Sequence, residues 1–106
     1  MNFNLKGKNV LITGSSKGIG LGIARQFFEE GCNIVLNGRS ANGQLAVATI
    51  AGSHYVAGDV STEGGARRVV NKAAEILGSL DVVICNVGSG TSVKPGQESL
   101  AAWHKA

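Results

Sequence analysis

The chain has 106 residues, 43% hydrophobic and 16% charged, with a net charge of +3. That length points to one domain, and that balance to a packed globule, excluding a disordered segment. The basic residues are scattered, so no block of like charge marks a nucleic-acid arm or a membrane patch, and no apolar run is long enough to span a bilayer.

Residues 1–8 form a polar lead-in with a turn at Gly7, too short and too polar for a signal peptide. Residues 9–13 are a short apolar run, as expected of a buried parallel strand. After a glycine-rich turn, Ile19, Ile23, Ala24 and Phe27 recur at helical spacing up to Glu30, and Gly31 stops the helix. Residues 32–36 read as a second strand and residues 37–40 as a turn. Residues 41–51 read as a helix resting on Leu45, Ala48 and Ile50, with Gly43 working against it. Residues 54–57 are a third strand, ending at Gly58-Asp59. Ser61 is placed to cap the next helix. In that helix Ala66, Val69, Val70, Ala73, Ile76 and Leu77 form one stripe, with Arg67, Arg68, Lys72 and Glu75 on the other side and Gly78 at the end. Residues 80–85 are a fourth strand, with Asp81 near its start. Residues 86–90 form a loop, residues 91–97 are irregular around Pro95, and residues 99–106 look like the first turns of another helix.

Strict alternation of strand and helix predicts an α/β fold with a doubly wound parallel sheet. Right-handed crossovers then give four strands in the order 3-2-1-4 with flanking helices, the first half of a Rossmann-like sheet. Cys32 and Cys85 show no metal spacing and no C-x-x-C, and that strand order sets them too far apart for a disulfide. His54 and His104 have no partner at ligand spacing. No metal, a reduced thiol pair and a cytoplasmic location are therefore expected.

The functional signal is Thr13-Gly14-Ser15-Ser16-Lys17-Gly18-Ile19-Gly20. Glycines at this spacing, between a strand and a helix, let backbone approach a phosphate that the helix start then attracts. The end of the second strand carries no acidic residue to hold ribose hydroxyls. It carries Arg39, which can pair with a 2′-phosphate, so NADP is expected over NAD. Asp59 closes the third strand and Asn86-Val87-Gly88 the fourth.

In these residues the chain resembles the short-chain dehydrogenase/reductase family over essentially its whole length. Residues 13–20 match that family's T-G-x-x-x-G-x-G turn, with Lys17 typical of its NADP-preferring members. Asp59-Val60 matches its adenine-contacting pair. Cys85-Asn86-Val87-Gly88 matches its N-N-A-G with two changes, and Glu98 to Trp103 look like the start of its fourth helix. The resemblance implies diphosphate contacts from Gly14, Ser16, Gly18, Ile19 and Gly20. It implies a 2′-phosphate shell of Ser15, Lys17 and Arg39, and adenine contacts from Asp59 and Val60. Asn86 and Gly88 would lie by the nicotinamide ribose, with Asn86 also tying the central strands together. Simpler readings stand beside these: a plain tight turn for the glycines, a solvated charge for Arg39 and Lys17, and a helix-start residue for Asp59.

The family's catalytic serine and Tyr-x-x-x-Lys do not occur in these 106 residues. The only tyrosine, Tyr55, is followed four places later by Asp59. The resemblance therefore implies one NADP-binding domain spanning residues 1–106, truncated before the catalytic segment, with no catalytic residue and no turnover alone. The whole protein would move hydride between nicotinamide and an alcohol or carbonyl. The alternative is a non-catalytic module for nucleotide binding or self-association. A fourth strand left open at the sheet edge would favour a homo-oligomer joined there.

Overall fold

The computed structural model describes residues 5–86. Four strands, β1 (Asn9–Ile12), β2 (Asn33–Gly38), β3 (His54–Ala57) and β4 (Val82–Ile84), form one parallel sheet in the order β3-β2-β1-β4. Helix α1 (Gly18–Glu29) links β1 to β2, a 3-10 segment (Ala41–Thr49) links β2 to β3, and helix α2 (Glu63–Leu77) links β3 to β4. The predicted architecture and strand order are thus present.

The register explains why the strands are nearly continuous apolar runs. Val10, Leu11 and Ile12 lie beside Ile34, Val35 and Leu36 on one side and Val82, Val83 and Ile84 on the other. Side chains alternate between the two faces of a strand, and both faces are covered. Val10, Ile12, Ile34 and Leu36 pack with Ala24 of α1 and with Ala46 and Ile50 of the β2–β3 connection. Leu11, Val35 and Val56 pack with Val69 and Ala73 of α2. Asp81 sits just ahead of β4: its carboxylate accepts the Asn9 N–H at 2.8 Å, and its own N–H donates to the Asn9 carbonyl at 2.9 Å. That exchange fixes where β4 meets β1.

Three expectations need correction. The β2–β3 connection is a 3-10 segment, not an α-helix. Its buried contacts come from Ala46 and Ile50, while Leu45 is 81% exposed. Tight i to i+3 bonds, such as the Ile50 N–H to the Val47 carbonyl at 3.2 Å, rotate the apolar residues off the expected stripe. Ile19 does not belong to the buried stripe of α1 either. It is 78% exposed, and Leu21, Ile23 and Phe27 pack around buried Ala24 instead. Finally, Thr62, not Ser61, caps α2: its Oγ1 accepts the Gly65 N–H at 3.0 Å. The expectations for residues 87–106, including Gly88 and the helix start at 99–106, lie outside the described residues.

Candidate functional site

A cleft of about 550 Å³ opens across the C-terminal ends of the strands. It lies where the chain order reverses, between β1 and β4, the place where open α/β sheets bind ligands. Gly14, Ser16, Lys17, Gly18 and Ile19 of the glycine turn line it. So do Asn37, Gly38, Arg39 and Ser40 after β2, residues 58–61 after β3, and Asn86 after β4.

The turn is built by close backbone approach. Gly14 has φ +59, and a Cβ there would run into the Asn86 carbonyl. A Cβ on Gly20 would strike the Gly14 carbonyl and come within 2.7 Å of the Asn86 Nδ2. That amide donates to the Gly14 carbonyl at 3.0 Å, and the Asn86 N–H donates to the Thr13 hydroxyl at 2.9 Å. Asn86 therefore ties β4 to the turn after β1, as its position in the resemblance implied.

The helix behind the turn is left open at its start. Lys17 precedes α1 in an extended conformation, no side chain caps the helix, and its first turn holds no acidic residue. An α-helix start has N–H groups without intrahelical partners and a positive dipole end. At α2, by contrast, Thr62 fills that role. With Lys17 and Arg39 both on the cleft wall, the arrangement suits an anion.

Asp59 faces the same cleft. Its carboxylate accepts the Ser61 hydroxyl at 2.6 Å and the Ser61 N–H at 2.9 Å. The Ser61 hydroxyl, then the Ser61 N–H and more weakly the Arg39 charge, hold the Asp59 carboxyl below its ordinary range. Ser61, expected as a helix cap, braces Asp59 instead.

Two of the expected cofactor residues do not reach the cleft. Ser15 is completely buried. Its Oγ donates to the Ile12 carbonyl at 2.6 Å and accepts the Asn37 N–H at 2.9 Å, and its own N–H donates to the Asn37 carbonyl at 2.7 Å. With its hydroxyl and its N–H engaged beneath the turn, Ser15 braces the turn and does not line the cleft. Gly20 is likewise buried, and its part is the close packing just described.

The residue that sequence reasoning missed is Asn37. It is 1% exposed and joins the glycine turn to both β2 and β3 through its side-chain amide. Its signal was present: a polar residue directly after the buried run Ile34-Val35-Leu36 needs partners. Among the described residues no group of three or more His, Cys, Asp or Glu side chains could hold a metal ion, and no helix is long and apolar enough to cross a membrane. Cys32 and Cys85 are both free thiols.

A half-wound parallel sheet with a glycine turn at its switch point defines a Rossmann-like nucleotide-binding fold. The sequence model of the short chain dehydrogenase family matches residues 8–106, and the chain belongs to that family. It is 42% identical over 88 residues to glucose 1-dehydrogenase of Gluconobacter oxydans, covering 77% of this chain and 33% of that protein. It is 35% identical over 109 residues to the NADP-dependent (R)-specific alcohol dehydrogenase of Lentilactobacillus kefiri, covering 99% of this chain and 43% of the relative. The chain thus spans less than half the length of these curated relatives.

Solved structures agree on the fold. The 2-keto-3-deoxy-D-gluconate dehydrogenase of Streptococcus agalactiae superposes with a TM-score of 0.74 at 34% identity, over 92% of this chain and 38% of that one. The 3-ketoacyl-(acyl-carrier-protein) reductase of Brucella melitensis complexed with NADH gives 0.68 at 32% identity, over 74% and 33%.

Proposed function

We propose that this chain is the NADP(H)-binding part of a short-chain oxidoreductase that moves hydride between nicotinamide and an alcohol or carbonyl group. One observation carries the reading: the cleft at the switch point combines a glycine turn, an uncapped helix start and two cations, Lys17 and Arg39. A dinucleotide fits this set of groups. At Gly18, on the cleft wall, a Cβ would stand in open space that glycine leaves to a ligand, and the donors on the wall are suited to phosphate.

In this reading Gly14, Ser16, Gly18 and Ile19 hold the diphosphate, with the open start of α1 supplying N–H groups. Lys17 and Arg39 take the 2′-phosphate of NADP, which NAD lacks. Arg39 offers paired donors and Lys17 a point charge. Asp59 and Val60 border the adenine, and Asn86 lies towards the nicotinamide ribose. The bound cofactor supplies or accepts the hydride. The family's acid/base set of serine and Tyr-x-x-x-Lys has no counterpart in these 106 residues, so this stretch binds and orients without turnover. The relatives' names include both an NADP-dependent enzyme and a complex with NADH, so the choice of cofactor here rests on Arg39 and Lys17.

The test is a thermal melt with each cofactor. A ligand that binds only the folded state raises the melting temperature. NADPH is expected to raise it more than NADH, and Arg39→Ala to remove most of the difference. Equal responses to both cofactors in the unaltered chain would refute the NADP assignment. Reduction of a carbonyl substrate by this chain alone would refute the absence of turnover.

A further inference from the structure

The Tyr55 hydroxyl lies where several segments meet. Tyr55 stands on β3 beside Leu36 of β2, half-buried, and packs against the core under the β2–β3 connection. Its hydroxyl donates to the Ser40 carbonyl, which also accepts the Gly43 N–H at 3.3 Å. Two glycines leave the space that the phenol tip fills. A Cβ on Gly38 would come within 2.5 Å of the phenol oxygen and 2.9 Å of the Ser16 Oγ. One on Gly43 would strike the same oxygen and come within 2.8 Å of the Ser16 Cβ. The phenol tip therefore lies against Gly38 at the end of β2 and Gly43 of the 3-10 segment, two glycines that also face Ser16 of the glycine turn.

What that bond holds is the residue directly after Arg39. Arg39 and Ser40 both line the cleft, and Arg39 is exposed. A long exposed side chain is aimed largely by its own backbone, so an anchor on the next carbonyl limits where the guanidinium goes. Burial pushes the Tyr55 phenol up from its ordinary range, so it stays a donor at neutral pH.

We propose that Tyr55 is a positioning residue for cofactor choice, anchoring the Ser40 carbonyl so that Arg39 is held where it reads a phosphate on the ribose 2′ position. This rests on the role given to Arg39 above. Tyr55→Phe removes the anchoring oxygen and keeps the ring.

Calorimetric titration of the full chain with adenosine 2′,5′-bisphosphate and with 5′-AMP, which differ by the 2′-phosphate alone, isolates the effect. The unaltered chain is expected to prefer the bisphosphate, and Arg39→Ala to bring the ratio close to one. Tyr55→Phe is expected to lower the ratio about three- to tenfold while 5′-AMP affinity stays within about twofold. The double variant is expected to match Arg39→Ala alone, because Tyr55 acts through Arg39. Gly43→Ala, whose methyl displaces the phenol but also meets the Ser16 Cβ, is expected to lower the same ratio while weakening 5′-AMP as well, and its ratio replaces that of Tyr55→Phe if that variant does not fold.

If Arg39→Ala abolishes the preference while Tyr55→Phe and Gly43→Ala keep it, the anchoring role is wrong and the Arg39 reading stands. Equal weakening of both ligands by Tyr55→Phe would likewise make Tyr55 merely structural. If Arg39→Ala keeps the preference, or the unaltered chain has none, the Arg39 reading fails and this inference fails with it.

Discussion

The side-chain carbonyl of Asn37 accepts the Gly14 N–H at 3.1 Å. From the same amide, Nδ2 donates to the Val56 carbonyl at 2.9 Å and to the Gly58 carbonyl at 3.2 Å. One buried carboxamide thus holds the glycine turn against the ends of β2 and β3. No other short side chain presents an acceptor and two donors in one plane. The cleft keeps its shape because these groups are satisfied away from water.

Removing that amide leaves several buried backbone groups unpaired, so Asn37→Ala is expected to cost about 3 kcal/mol of folding stability. Asn37→Asp is expected to cost at least as much, because it turns an oxygen towards the Val56 and Gly58 carbonyls. Urea unfolding curves of the three proteins decide it. A loss for Asn37→Ala below about 1 kcal/mol would show that the amide bonds hold little of the turn in place.

Two glycines in α1 should respond in opposite directions. Gly20→Ala forces a methyl against the Gly14 carbonyl and the Asn86 amide, and overpacking of this kind costs about 1–3 kcal/mol. At Gly22, two residues further on and exposed, an added Cβ meets nothing within 4 Å. There the gain in helix propensity over glycine is about 1 kcal/mol, so Gly22→Ala is expected to raise the melting temperature. A stable Gly20→Ala that still shows strong cofactor stabilisation would contradict the close packing of turn, helix and β4.

The strand order and both helices were legible in the sequence because each rests on a strong local pattern. Val10-Leu11-Ile12 and Ile34-Val35-Leu36 are buried on both faces, and the α2 stripe of Ala66, Val69 and Ala73 keeps strict helical spacing. The β2–β3 connection was not legible. In Ala41 to Thr49 the apolar residues bunch into Leu45-Ala46-Val47-Ala48, a run with no period to distinguish 3.6 residues per turn from 3, and Tyr55 and Ser16, distant in sequence, occupy the room beside Gly43. The site was legible as a set of positions around the cleft. The division between residues that reach the cleft and residues that brace it was not. Ser15 and Ser16 are adjacent and alike in type, yet Ser15 is buried under the turn and Ser16 lines the cleft. That difference depends on Asn37, 22 residues further along the chain from Ser15.

Capping of α2 separates two neighbouring hydroxyls. Thr62 bonds the Gly65 N–H, whereas the Ser61 hydroxyl is turned to Asp59. Thr62→Ala is expected to cost about 1 kcal/mol, the usual worth of an N-cap. Ser61→Ala leaves the cap intact and is expected to cost less. The reverse ranking in chemical denaturation would return the cap to Ser61.

The Asp59 carboxyl gives a pH dependence whose direction follows from its partners. Ser61 donates twice to the ionised form, so the folded state binds the proton less readily than the unfolded chain does. The stability this contributes is fully present above the unfolded carboxyl range, near pH 4, and fades as pH falls through the lower folded value. A carboxyl carbon titration by NMR should place the Asp59 midpoint below 3.8, its ordinary value. Ser61→Ala removes the larger of the two hydrogen bonds and should move that midpoint upward. The gap in melting temperature between the unaltered chain and Asp59→Ala should stay level from about pH 7 to pH 5 and narrow on further acidification. A gap that widens as acid is added would mean that Asp59 carries unfavourable charge in the fold, and would overturn the assignment of Ser61 as its partner.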